Sequence, residues 1–187
     1  MTNPCTNTVS WRAPDCRTAQ GRQFVELFRT LQSQTGQIAP PRKSLVLTEA
    51  APFAPYLSVL EFQDAEVAIM RIMGTALVNR RKIDHTGKNW FEFFAPEARP
   101  WMSRYLQALL STPCGAANIV SEAFDRSFPI EVVSLPFADA QGLTRFIIST
   151  STEVNRVDLS LRGEFKKQPT PNLDGYFNIG GGLPGEA

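Results

Sequence analysis

Apolar residues recur at helical spacing between Thr18 and Gly36, where Phe24, Leu27, Phe28 and Leu31 form one stripe. Thr35-Gly36 suits the end of that amphipathic helix. Pro40 and Pro41 separate it from Leu45-Val46-Leu47, and Pro52 and Pro55 hold any further helix to about one turn around Phe53 to Leu57. Two short apolar runs, Leu57 to Phe62 and Val67 to Met73, are joined by Gln63-Asp64-Ala65-Glu66, which predicts a β-hairpin. Gly74 ends the hairpin and Thr75 can cap a short helix with Leu77 and Val78. Asn89 and Glu92 have capping-box spacing ahead of a second short helix with Trp90, Phe93 and Phe94. A longer helix starts near Arg99, carries Met102, Leu106, Leu109 and Leu110 on one stripe, and stops at Ser111-Thr112-Pro113.

After Gly115 the pattern changes to period two with β-branched residues. It predicts strands at Asn118 to Phe124, Phe128 to Phe137 and Leu143 to Thr152, joined by short polar connections into an antiparallel meander. The stretch before Asp15 has no periodicity. From about Pro169 the chain is rich in Pro, Asn and Gly, a composition expected to stay flexible. The expected organisation is a flexible stretch over 1–17, the amphipathic helix over 18–36, one α+β domain over 37–157 and an extension over 158–187.

Composition changes this picture little. Nineteen basic and eighteen acidic residues in 187 leave a formal charge of +1, so no global field recruits nucleic acid or an anionic membrane. No run approaches the roughly 20 apolar residues of a spanning helix, and Met1-Thr2-Asn3-Pro4 with no basic region and apolar stretch after it argues against a secretory signal. Cys5, Cys16 and Cys114 form no C-x-x-C pair, which fits a reduced, cytoplasmic setting and gives no metal ligand set. The densest basic patch, Arg80-Arg81-Lys82 with Lys88, suits a solvated helix end.

The stretch Met70-Arg71-Ile72-Met73-Gly74-Thr75-Ala76-Leu77, followed by Ile83-Asp84-His85-Thr86-Gly87-Lys88, resembles a bacterial subfamily of PAS domains. The order of elements is similar to that fold: an N-terminal hairpin and a C-terminal meander forming a five-stranded antiparallel sheet, with short helices on one face. The resemblance covers roughly Thr18 to Val154. It implies a sensory or protein-interaction module that signals through an unidentified partner protein. It also implies a small apolar or amphipathic ligand between sheet and helices, at Ile72, Leu77, Trp90, Phe94, Met102, Leu106, Ile130, Val132, Phe146 and Ile148. A closed core made of the same residues is the competing expectation. Which strand face points inward stays open, because a one-residue slip reverses the set.

No cofactor is named by the sequence. His85, the only histidine, precedes the helix expected to carry a haem ligand, and none of the cysteines sits in a flavin-photosensor context, so haem and flavin are not expected. No catalytic set is assembled. The alternatives are a small enzyme or carrier on a cone-shaped α+β fold using Asp84, His85 or Glu122 as a base, or a structural dimerisation domain. The stripe Phe24, Leu27, Phe28 and Leu31 has two destinations, its own sheet or a second copy, and a homodimer through this helix is expected.

Overall fold

The computed structural model describes residues 14–123, 127–154 and 175–185. Its helices are α1 (Ala19–Thr35), α2 (Leu47–Ala50), α3 (Thr75–Arg81) and α4 (Arg99–Ser111), with short 3-10 turns at Arg42–Ser44, Ala54–Tyr56, Trp90–Phe93 and Pro96–Ala98. Its strands are β1 (Leu57–Phe62), β2 (Ala68–Met73), β3 (Gly115–Ala123), β4 (Ser127–Ala138), β5 (Thr144–Glu153) and β6 (Tyr176–Phe177). They form one sheet in the order β2-β1-β5-β4-β3-β6, every pairing antiparallel. The hairpin and the meander therefore join through β1 and β5, as expected, and a sixth strand extends the sheet.

Helix α1 begins where the sequence places it. Thr18 is its N-cap, accepting from the Gly21 N–H at 2.9 Å, and Gly36 closes it in the left-handed region. Its apolar stripe packs on the chain's own sheet, the first of the two destinations open to it. Phe24, Phe28 and Leu31 are at most 1% exposed, and they meet Val59, Val133, Leu135, Phe137 and Ile148. Phe28 sits edge-on to Phe137 with ring centroids 5.2 Å apart, and Leu27 is half-buried at the margin. A second core forms on the opposite face, where Leu77, Phe91, Met102, Leu106 and Leu109 cover Leu60, Ala116 and Ile147. The sheet is thus sandwiched, with α1 on one side and α3, the Trp90–Phe93 turn and α4 on the other.

Three local expectations change. Thr75 does not cap α3: Gly74 takes the N-cap position with extended backbone and no side-chain cap bond, and a Cβ there would lie 2.4 Å from the carbonyl oxygens of Ala54 and Pro55, so close approach requires the glycine. Residues 14–17, expected to be flexible, are held in part: Cys16 is buried and the Arg17 N–H donates to Glu131. The tail, expected to be flexible from Pro169, contributes β6, which pairs with Gly115 and Ala116, and Phe177 and Ile179 are buried. Two aromatic or branched side chains on alternate residues suffice to seat a short edge strand despite the glycines around it. Residues 155–174 lie outside the described residues.

Candidate functional site

A cavity of about 180 Å³ lies between the sheet and the short helices. Its roof is apolar: Leu77 from α3, Trp90 and Phe94 flanking the short turn, and Met102 and Leu106 from α4. Trp90 and Phe94 meet edge-on at 4.6 Å, so the roof is an aromatic pair held in place by the helix ends. Asn89 fixes that turn, since its Oδ1 accepts from the Ala68 N–H at 3.0 Å and its Nδ2 donates to the Glu66 carbonyl at 2.8 Å.

The floor is mixed. Leu60, Met70, Val132 and Ile147 are apolar, whereas Ser58, Asn118, Ser134, Ser149 and Ser151 are not. Register explains the grouping: Ser58 lies opposite Ser149, which lies opposite Ser134 on β4. Ser134 and Ser149 share a hydrogen bond of 2.8 Å. The Asn118 amide donates to the Tyr105 hydroxyl at 3.3 Å. Burial pushes the Tyr105 phenol up to about 12, against the lowering effect of its bonds to Ser134 and Asn118, so it is a neutral hydroxyl at physiological pH. Arg81 contributes a cation to the same lining.

Six of the ten expected pocket residues line this cavity: Leu77, Trp90, Phe94, Met102, Leu106 and Val132. Four do not. Ile72 is 49% exposed on the edge strand, because Val59 pairs with Ile72 and Leu60 with Met70, leaving Arg71 as a bulge. The bulge turns Met70 into the cavity and Ile72 onto the other face. Phe146 and Ile148 lie under α1, since on β5 it is the alternate residues Ile147, Ser149 and Ser151 that face the cavity. Ile130 shares the face of Val132 and is buried, but lies beyond the cavity. Reading the less apolar alternation of β5 as the inward one would have recovered the serines.

Neither Asp84 nor His85 lines this cavity. Asp84 is exposed, with Oδ1 accepting from the Thr86 N–H at 2.9 Å, and the bond from that N–H holds its carboxyl below the usual range. His85 is buried against Phe93, ring centroids 3.7 Å apart, and does not line the cavity. Glu122 belongs to β3, and its side chain lies outside the described residues. Burial pushes the thiols of Cys16 and Cys114 to about 12, which makes them poor nucleophiles. Among the described residues, no group of His, Cys, Asp or Glu is placed to hold a metal, and no helix is long and apolar enough to cross a membrane.

His85 carries a pH dependence. Burial lowers its pKa, with the positive charges of Arg81 and Lys88 adding to the effect and Asp84 opposing it, and Nδ1 has no hydrogen-bond partner. The neutral ring is the folded form, while the unfolded chain protonates near pH 6.5. Stability is therefore fully present above about pH 6.5 and declines as pH falls below it. Urea midpoints should drop between pH 7.5 and 5.5, and His85→Gln should flatten that drop.

The fold is PAS-like. Its decisive feature is the hairpin and meander united in the order β2-β1-β5-β4-β3, with short helices over the cavity face. No family model and no curated protein matches the sequence. Among solved structures, the chain is similar to the PAS domain of Bordetella pertussis BvgS at 16% identity, covering 73% of this chain and 91% of that one with a TM-score of 0.44. It is similar to a sensory box sensor histidine kinase structure from Vibrio cholerae at 15% identity, covering 60% and 94%, TM-score 0.41. It is also similar to Vibrio cholerae VqmA at 13% identity, covering 69% and 62%, TM-score 0.45.

Proposed function

We propose that this chain is a cytoplasmic small-molecule-sensing domain that acts in signal transduction through a partner protein. The observation that carries the reading is the cavity, with its aromatic and aliphatic roof and its floor of hydroxyl and amide groups. A void of about 180 Å³ is near the size that houses a single benzene-like ring, and below the roughly 300 Å³ where drug-sized sites begin. The fitting ligand is a compact amphipathic molecule of one or two rings. Its apolar face would lie against Trp90 and Phe94, and a polar edge would exchange hydrogen bonds with Ser149, Ser134 or Asn118. Serine hydroxyls both donate and accept, so they tolerate either sense of bond.

Signalling would follow by population shift, the ligand favouring one packing of helices on sheet. The test is native mass spectrometry of the purified protein, then thermal scans against a panel of small phenols and heteroaromatics. A ligand at about 100 times its Kd adds ~2.7 kcal/mol, a Tm rise of about 5–10 °C for a chain of this size. Ser149→Leu should fill the cavity and abolish that rise while leaving the fold intact. If no compound raises Tm and Ser149→Leu is simply more stable than the parent, the interior is a closed core and the reading fails.

A further inference from the structure

Strand β6 touches both layers of the molecule at once. Tyr176 packs with the cavity-side core, whereas Phe177 and Ile179 belong to the core under α1. Its seat on the cavity side is made by two cavity residues. The Tyr176 hydroxyl donates to the Tyr105 carbonyl at 3.4 Å, and the two rings lie 5.7 Å apart. Gly175 rests so closely on the Asn118 side chain that a Cβ would lie 2.1 Å from its Oδ1. On the far side, Gln32 of α1 donates to the Ile179 carbonyl at 2.9 Å, and the Phe177 ring covers Gly115 where a Cβ would clash at 2.1 Å.

Tyr105 and Asn118 are thus bonded to each other inside the cavity and hold the strand outside it. We propose that β6 is a strap whose attachment to β3 is set by the Tyr105–Asn118 hydrogen bond, carrying a change in the cavity to the C-terminal end of α1. The input rests on the ligand reading above, since a polar ligand edge would compete for that same bond. The coupling itself belongs to the ligand-free protein. A two-residue edge strand is also the kind of element that opens locally without global unfolding. Linkage is reciprocal, so loosening the strap must alter the cavity as well.

Hydrogen exchange on the full chain decides the matter without a ligand. In Tyr105→Phe, which keeps the ring, and in Asn118→Ala, exchange at 115–116 and 176–179 should rise about tenfold, as expected for one lost hydrogen bond. The β1–β5 pairing around Val59 and Ile148 should stay within about twofold of wild type. Unchanged exchange in β6, or an equal rise in every strand, overturns the coupling. Failure of the ligand reading looks different: no added compound binds, and the two variants still loosen the strap.

Discussion

Phe28→Ala is expected to lower unfolding stability by about 3–5 kcal/mol, the usual range for deleting a fully buried aromatic side chain. Phe28 is fully excluded from solvent and its ring meets Phe137 edge-on, so truncation removes an aromatic pair and leaves a void between α1 and β4. At about 2–4 °C per kcal/mol, Tm should fall by on the order of 10 °C. The same experiment separates the two destinations of the apolar stripe. With α1 folded on its own sheet, Phe28→Ala leaves any concentration dependence of the unfolding midpoint unchanged. Had the stripe formed a dimer, the midpoint would rise with concentration, because association stabilises by mass action. A concentration-dependent midpoint, with Phe28→Ala abolishing the dependence, would support the dimer helix. Otherwise any homodimer must use a different surface.

Much of the fold was legible because local signals agreed with the tertiary solution. Thr18 and Gly36 bound α1 within a residue of the expected limits, and the hairpin and meander strands fall within three residues of the limits that apolar runs and period-two patterning place. The face of each strand was harder to read, for identifiable reasons. On β5 both alternations are buried: Phe146 and Ile148 satisfy α1, while Ile147, Ser149 and Ser151 face the cavity. A sheet covered on both sides offers no polar face to orient the reading. The more apolar alternation went to the fully packed core, and the serines to the cavity. At Ile72 the obstacle was the Arg71 bulge, which breaks period two and leaves no mark in composition. The tail misled for a different reason. Composition describes an isolated segment, whereas Phe177 and Ile179 find their burial only when an edge of β3 and the end of α1 are already in place.

Those two misreadings have a common consequence for function. The cavity depends on small polar residues in the middle of the sheet, and serines leave space that larger side chains would occupy. The surface that responds to it would then be found at the periphery, where the two-residue strand β6 is fastened to the end of α1. A sensing domain needs both properties, a preformed interior and a weakly held element next to it. The fastening of α1 is therefore as informative as the cavity.

That fastening includes a buried carboxylate, and Glu131→Ala is expected to cost about 3–5 kcal/mol. Glu131 lies on β4, 2% exposed, beneath the start of α1. It accepts from the Thr18 N–H at 2.9 Å, from the Thr18 hydroxyl and from the Arg17 N–H. Thr18 in turn caps the helix, its oxygen accepting from Gly21, so one carboxylate holds the strand, the cap and the first turn together. The free N–H groups and dipole at a helix N-terminus favour a negative group there. Alanine leaves the buried Thr18 donors and the part-buried Arg17 N–H without their acceptor. Glu131→Gln should fall between alanine and wild type, because one acceptor oxygen becomes an amide donor facing other donors. Thr18→Val removes the cap and one bond, for about 1–2 kcal/mol. In a double-mutant cycle by urea unfolding, Glu131→Ala and Thr18→Val should be non-additive by at least about 0.5 kcal/mol. Additive losses, or a Glu131→Ala variant within about 1 kcal/mol of wild type, would mean that α1 is held by its apolar stripe alone.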